Sequence, residues 1–134
     1  MSEALCFKRE IAGDVVVLSV EGILDAGSSA EFRERCTREL NGEVSAMVLD
    51  VGGVPFVASS GLGTFLLLSE AGRTLGRRVF IVRTCNAVRE VLSMMNIDRY
   101  LDLAEDVESA LSELGIRTVA EVAELDPATL AGAL

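Results

Sequence analysis

The sequence predicts an α/β fold in which helices cover mainly one face of a mixed sheet of four to five strands. Short apolar runs rich in β-branched residues, at residues 46–51 and 77–82, are typical of strands buried on both faces. Segments with apolar residues at helical spacing alternate with these runs, which indicates parallel strands joined by helices. A Gly-Asp turn at residues 12–14 joins two earlier strands into a hairpin, so the sheet is mixed.

The first elements are the two hairpin strands, predicted at residues 5–11 and 15–20, and a helix. Ser28 and Glu31 have the spacing of a capping box, which predicts that the helix begins there. Asn41-Gly42 ends it. Its apolar face consists of Phe32, Cys36 and Leu40. The charged residues on its other side are interpreted as a solvated face rather than a partner contact.

The rest of the chain alternates strands and helices. Strands are expected at residues 46–51, 77–82 and 100–103. Helices are expected from about residue 60 to Gly76, after an N-cap at Asn86, and after an N-cap at Asp106. The helix of residues 60–75 has an apolar surface broader than the stripe that faces the sheet. A neighbouring helix or a partner protein should therefore cover the rest of that apolar surface. The predicted order is βββαβαβαβα, or a close variant with the first strand at an edge.

Composition limits the function classes. A chain of 134 residues fits one domain with a real core. Its net charge of −9 argues against a nucleic-acid backbone or an anionic membrane as partner and favours a basic protein surface. No apolar run approaches the ~20 residues that span a bilayer, and the N-terminus lacks the features of a signal peptide. The protein is therefore expected in the cytoplasm.

The chain has no histidine, which removes Ser-His and Cys-His catalytic pairs and every histidine-containing metal site. Lys8 is its only lysine, so a serine nucleophile with a lysine base is a poor hypothesis. Cys6, Cys36 and Cys85 are far apart and are expected to be small core residues. Hydrolysis is therefore a poor hypothesis for this chain, and no metal site is predicted.

A serine pair is predicted at the mouth of the helix that follows strand 46–51. Ser59-Ser60 has the chemistry of a helix N-cap, and a helix N-terminus with unpaired N–H groups also favours phosphate. Gly61 and Gly63 each cost about 1 kcal/mol relative to alanine inside a helix. Either another surface approaches the helix closely at these glycines, or they ease a tight strand-to-helix corner.

The stretch VLDVGGVPFVASSGLGTFLLL, at residues 48–68, resembles the core signature of the STAS domains, specifically the bacterial anti-sigma factor antagonists. Residues 20–25, VEGILD, are similar to the family's Gly-x-Leu/Ile-Asp turn, and the similarity continues downstream through residues 76–79 and 88–97. It implies a STAS-like fold for residues 1–114. Residues 115–134 would then form a C-terminal extension, for which capping patterns predict two short helices.

The resemblance implies a protein switch rather than an enzyme, and no cofactor is expected. In the family, the anti-sigma factor is a serine kinase of histidine-kinase-like fold that phosphorylates the antagonist, whereas the unphosphorylated antagonist binds the kinase and frees the sigma factor. By position, the phosphorylated residue is Ser59, with Ser60 as the neighbouring hydroxyl. The partner-binding residues implied in this way are Asp25, Ala58, Ser59, Ser60, Gly61, Leu62 and Gly63.

The sequence departs from the family pattern at Ala58, where the family has an aspartate before the first serine. A carboxylate that could help to present the hydroxyl is therefore absent. We hypothesise that the protein is either a slow phosphate acceptor or a permanently active antagonist.

Two other functions remain open at the level of sequence. One is a structural or scaffold STAS subunit of a stress-signalling or lipid-transport complex. The other is a nucleotide-binding regulatory domain, although residues 59–63 lack a P-loop lysine and a dinucleotide fingerprint. Residues 114–119 also resemble part of a helix-hairpin-helix module, but acidic neighbours argue against DNA binding. The oligomeric state is not predicted.

Overall fold

The computed structural model describes residues 5–116, which contain a five-stranded sheet and four α-helices. The strands are β1 (Cys6–Ala12), β2 (Val15–Glu21), β3 (Ala46–Gly53), β4 (Arg78–Val82) and β5 (Asp102–Ala104). The helices are α1 (Ser29–Leu40), α2 (Ser59–Leu75), α3 (Asn86–Met94) and α4 (Val107–Glu113), and a 3₁₀ turn spans Asp98–Tyr100. The structure does not describe residues 117–134, so the two short helices predicted within residues 115–134 stay a prediction.

The strands follow one another across the sheet in chain order, with β1 and β5 at the edges. The β1–β2 pair is antiparallel, and the other three pairs are parallel. The mixed sheet is therefore confirmed. Two strands, not three, precede α1, which corrects the order βββαβαβαβα in favour of the variant with the first strand at an edge. Because the 3₁₀ turn occupies Asp98–Tyr100, the last strand begins at Asp102 rather than at residue 100.

Each face of the sheet carries its own apolar core. Helices α1, α2 and α3 bury Phe32, Phe65 and Leu92 against Leu18, Leu49 and Ile81 on one face. On the other face α4 buries Ala110 and Leu111 against Val17, Val48 and Phe80. Each large apolar side chain buried in this way contributes roughly 1.5–3 kcal/mol. The prediction that helices cover mainly one face is confirmed.

The capping box predicted at the start of α1 does not form. Ser28 is the N-cap residue, but its side chain makes no capping hydrogen bond. Instead Ser28 Oγ donates to the carbonyl of Ile23 at 2.6 Å. Glu31 accepts a hydrogen bond from the backbone N–H of Leu5 at 3.3 Å, across the domain. Ser28 and Glu31 thus bond to partners outside the helix instead of to each other's backbone, as the spacing had predicted.

Other helix ends follow the predictions more closely. Gly76 ends α2 in the left-handed conformation, with φ 71°, as expected. Asp106 caps α4, because its carboxylate accepts the N–H of Ser109 at 2.8 Å. The N-cap of α3 is Cys85 rather than Asn86, and it makes no side-chain capping bond.

The three cysteines, all expected in the core, differ in exposure. Cys36 is buried on α1, Cys85 is partly buried, and Cys6 is exposed on the edge strand. Burial raises the pKa of the Cys36 thiol. The expectation is therefore correct for Cys36 and wrong for Cys6, because β1 has only one neighbouring strand and leaves its outward side chains in water.

Candidate functional site

Backbone hydrogen bonds join the loop before α1 to the loop before α2. The N–H of Leu24 donates to the carbonyl of Phe56 at 3.1 Å, and the N–H of Ala58 donates to the carbonyl of Leu24 at 2.7 Å. Leu24 and Val57 thereby form a parallel bridge beyond the ends of β2 and β3. This bridge places the segment around Asp25 beside the start of α2, as parallel strands do at their carboxyl ends.

The Asp25 side chain orders its own loop. Its Oδ1 accepts the N–H groups of Gly27 at 2.9 Å and Ser28 at 3.1 Å. The Asp25 backbone N–H in turn donates to Ser28 Oγ at 3.1 Å. These bonds form an Asx-type turn, which fixes the direction in which the chain enters α1.

Ala58 is the N-cap residue of α2, so the predicted capping role of Ser59 and Ser60 is wrong. Ala58 has the extended backbone that suits an N-cap, with φ −76° and ψ 168°, but its methyl group supplies no acceptor. Ser59 and Ser60 are the first two helical residues and are exposed. The first turn of α2 therefore has no side-chain cap, and no acidic residue in that turn offsets the partial positive charge of the helix N-terminus.

The two serine hydroxyls differ in their hydrogen bonding. Ser60 Oγ lies 2.7 Å from Ser29 Oγ on α1. Ser59 Oγ makes no hydrogen bond to any residue between 5 and 116. Of the two, Ser59 presents the hydroxyl that a second protein can reach without breaking a contact of this domain.

Gly61 and Gly63 have different roles. A Cβ atom on Gly61 would lie 2.7 Å from Val57 Cγ1 and 3.4 Å from Leu24 Cβ. Gly63 is exposed, and a Cβ atom there would have no neighbour within 4 Å. Both explanations considered from the sequence therefore apply to Gly61, because Val57 belongs to the strand-to-helix corner and Leu24 to a separate loop. At Gly63 no such contact requires glycine within the described part of the chain.

Large apolar side chains are exposed beside the serines, and the sequence reasoning did not identify two of them. Ile23 is 51% exposed and Phe56 is 53% exposed, and the Leu24 bridge holds their two loops together. Leu67, 42% exposed, continues the helix stripe that begins at Ser59 and Gly63. We call Ile23, Phe56, Ser59, Ser60, Gly63 and Leu67 the entry surface. The sequence did contain a signal for them: both are large apolar residues in loops, where no strand or helix periodicity assigns them to the core.

The remaining predicted site residue, Leu62, is buried in the core beneath the entry surface. It supports α2 and contributes no exposed contact. Among residues 5–116, no cluster of three His, Cys, Asp or Glu side chains could hold a metal ion. Within the same range, no helix has the length and apolar character needed to cross a membrane.

The family model described as the STAS domain matches residues 7–110, which is most of the chain. The chain belongs to the STAS domain family. The family expected from residues 48–68 is therefore confirmed, and the five-stranded sheet with four helices is consistent with the STAS fold.

This STAS domain is similar to several solved structures. An anti-sigma factor antagonist from Mycobacterium paratuberculosis is 23% identical, with a TM-score of 0.73 over 85% of this chain and 95% of that one. A Thermotoga maritima protein classed provisionally as an anti-sigma factor antagonist is 25% identical, with a TM-score of 0.74 over 80% and 92%. The Bacillus cell fate determinant SpoIIAA in its phosphorylated form is 20% identical, with a TM-score of 0.63 over 81% and 99%.

Proposed function

We propose that this STAS domain is an anti-sigma factor antagonist, a non-enzymatic regulator that acts by partner switching. Its entry surface would bind an anti-sigma factor that is a serine kinase of histidine-kinase-like fold. The observation that carries the proposal is the exposed Ser59 hydroxyl at the uncapped N-terminus of α2, flanked by exposed Ile23 and Phe56. Solved structures of similar fold include anti-sigma factor antagonists, which supports the same assignment.

The geometry favours Ser59 over Ser60 as the phosphate acceptor. The kinase would transfer the γ-phosphoryl group of ATP to Ser59 Oγ, which loses its proton while ADP leaves. Ser60 Oγ is already hydrogen-bonded to Ser29, whereas Ser59 Oγ has no partner among the described residues. The partial positive charge at the start of α2 would stabilise a phosphate at this position.

Phosphorylation would weaken binding through charge and desolvation. A phosphate adds a charge of about −1.5 to −2 at pH 7 to a chain whose net charge is already −9. Beside Ile23 and Phe56, that charge would lose water when a partner covers the surface. A near-complete switch requires roughly 5.5 kcal/mol of differential affinity, and burial of a dianion in an apolar contact is of that order.

The proposal is tested with the full chain, ATP and an anti-sigma factor kinase encoded in the same genome. Intact-mass measurement should show one phosphoryl group on the wild type and on Ser60→Ala, and none on Ser59→Ala. Ser59→Asp should bind the kinase at least tenfold more weakly than Ser59→Ala in a titration. Undiminished binding of Ser59→Asp would contradict the switch. Large particles of the protein alone in sedimentation would favour a scaffold function instead.

A further inference from the structure

A second surface feature lies at the other end of α2, in a cavity of about 200 Å³. It is enclosed by the C-terminal half of α2, the start of β4 and the 3₁₀ turn before β5. Its polar lining consists mainly of Ser69, Arg73, Arg77, Arg78, Arg99 and Asp102. We call it the arginine cavity. From Ser59 to Ser69 the helix rises about 15 Å, so this cavity is separate from the entry surface.

The charge of the arginine cavity is opposite to that of the whole protein. The chain has 12 basic residues and a net charge of −9, yet four arginines meet here around the single lining carboxylate of Asp102. An acidic protein repels anions in general, so it binds one only where positive groups are concentrated. Guanidinium groups suit oxyanions in particular, because their forked N–H donors match the spacing of carboxylate and phosphate oxygens.

The four arginines are not equally available. Arg77 donates to the carbonyls of Leu40 and Gly42 at the end of α1, and so has a structural role. Arg78 lies 3.5 Å from the Asp102 carboxylate, and Arg73 pairs with Glu70 along α2.

Arg99 is stacked against Tyr100, with its guanidinium carbon 5.6 Å from the ring centroid. It has no carboxylate within 4.0 Å in the part of the chain that the structure describes. Arg99 is thus the guanidinium most available to a ligand.

Ser69 provides an independent observation. Its Oγ is buried and has no hydrogen-bond partner among residues 5–116, and the residue lies in the wall of the arginine cavity. Buried hydroxyl groups in folded proteins are nearly always hydrogen-bonded, and a helical serine can use the carbonyl four residues earlier. If the Ser69 side chain turns toward the cavity, a bound oxyanion can accept a hydrogen bond from its hydroxyl and satisfy this group.

We propose that the arginine cavity binds a small oxyanion, namely a phosphate group, either free or as the end of a small phosphate ester. Its volume of about 200 Å³ is below the ~300–1,000 Å³ of clefts that enclose drug-sized ligands, which favours a single phosphate group. Arg99 and Arg78 supply the charge-assisted hydrogen bonds, and Ser69 Oγ donates one more after its side chain turns toward the cavity. The anion competes with Asp102 for Arg78.

The test is an NMR titration of the full chain that records the arginine Nε–Hε signals. The probes are inorganic phosphate and glycerol phosphate, with sodium chloride at matched ionic strength as reference. We expect saturable shifts of Arg78 and Arg99 with a Kd on the order of millimolar, as suits so small a ligand. Tighter binding of glycerol phosphate would identify the ester as the preferred source, tighter binding of inorganic phosphate would identify the free ion, and equal affinity would show that the phosphate group alone is recognised. Equal shifts with chloride would overturn the proposal.

Variants make the test specific. Arg99→Gln should weaken phosphate binding about fivefold or more, the scale of a partly exposed charge-assisted hydrogen bond. Asp102→Asn should strengthen it, because a competing carboxylate is removed. Arg33→Gln removes an exposed arginine of α1 outside the cavity and should change Kd by less than about twofold. Equal weakening by Arg33→Gln and Arg99→Gln would show only general electrostatic attraction, which would also overturn the proposal.

Ser69→Ala gives a readout that does not depend on charge. Without phosphate, the variant should melt at the same or a higher temperature than the wild type, because an unsatisfied hydroxyl is removed. With saturating phosphate, the wild type should gain more in Tm than the variant does. An equal gain in both proteins would exclude Ser69 from the site. The entry surface is untouched by these variants, so the result is independent of kinase binding.

Discussion

Ser29 Oγ and Ser60 Oγ lie 2.7 Å apart, so a side-chain hydrogen bond joins the first turns of α1 and α2. Ser29 Oγ donates its only proton to the carbonyl of Asp25 at 2.7 Å. Ser60 must therefore be the donor to Ser29. The result is a chain of hydrogen bonds from the start of α2 to the Asp25 loop.

This chain predicts a graded loss of stability. Ser29→Ala removes both hydrogen bonds and should reduce the free energy of unfolding by about 1 kcal/mol, whereas Ser60→Ala removes one and should cost about 0.5 kcal/mol. Ser59→Ala is the matched control, since it lies at the neighbouring helical position without such a bond and should stay within about 0.5 kcal/mol of wild type. Urea denaturation measures all three. Equal values for Ser59→Ala and Ser29→Ala would contradict the network.

Gly61 and Gly63, near the start of α2, predict changes of opposite sign. Gly61→Ala places a Cβ atom 2.7 Å from Val57 Cγ1, so we expect a loss of about 1–3 kcal/mol from overpacking. Gly63→Ala adds a methyl group in open space and should gain about 0.4–1 kcal/mol, because alanine favours the helix. Thermal and urea unfolding report both changes. A destabilised Gly63→Ala would contradict the open space that the structure shows around this position.

The missing cap at Ala58 can be supplied. Ala58→Asp should stabilise the protein by about 0.5–2 kcal/mol, because the carboxylate would accept N–H groups of the first turn of α2 and interact with the helix dipole. Ala58→Asn caps without a charge and should give a somewhat smaller gain. Unfolding by urea at low ionic strength distinguishes them. If neither variant were more stable than wild type, the N-cap geometry assigned to Ala58 would be wrong.

Glu39 predicts a pH-dependent contribution to stability. Burial alone would raise the pKa of its carboxyl, but hydrogen bonds from Arg9 at 2.8 Å and Arg35 at 3.1 Å outweigh burial and lower the pKa. A carboxyl whose pKa is lower in the folded state stabilises the protein above its unfolded pKa of about 4.3, and this contribution is lost as the pH falls through the folded value.

The magnitude should be at most about 1 kcal/mol, since Arg9 is half-exposed. Wild type should therefore exceed Glu39→Gln in stability at pH 7, and the difference should shrink below about pH 4. Glu90→Gln, an exposed glutamate on α3, serves as the control and should show little difference at either pH. A difference for Glu39→Gln that grows on acidification would contradict the sign.

The sequence predicted those features that depend on neighbours along the chain. Strands β3 and β4 followed from their apolar β-branched runs, and the caps at Gly76 and Asp106 from local residue chemistry. The side-chain caps predicted at Ser28 and at Ser59-Ser60 do not form, because none of these hydroxyl groups accepts a hydrogen bond from the first turn of its helix. Ser28 donates to Ile23, and the Ser59-Ser60 pair begins one residue inside the helix.

The entry surface could not be predicted as a whole, because it combines residues that are distant in the sequence. Ile23 and Phe56 are more than thirty positions apart in the sequence, and the backbone pairing around the Leu24–Val57 bridge brings their loops together. No local pattern encodes that bridge. The position of Ser59, by contrast, was found from the sequence because a serine pair after a strand and before a helical apolar pattern is a local signal.

The two edges of the sheet limit how another protein can associate with this one. In the described residues, edge strand β1 carries the consecutive charged residues Lys8, Arg9 and Glu10, and edge strand β5 is only 3 residues long. Charged side chains and short length both disfavour strand addition. Strand addition is thus disfavoured at both edges, so we expect a partner protein to bind through loops and side chains.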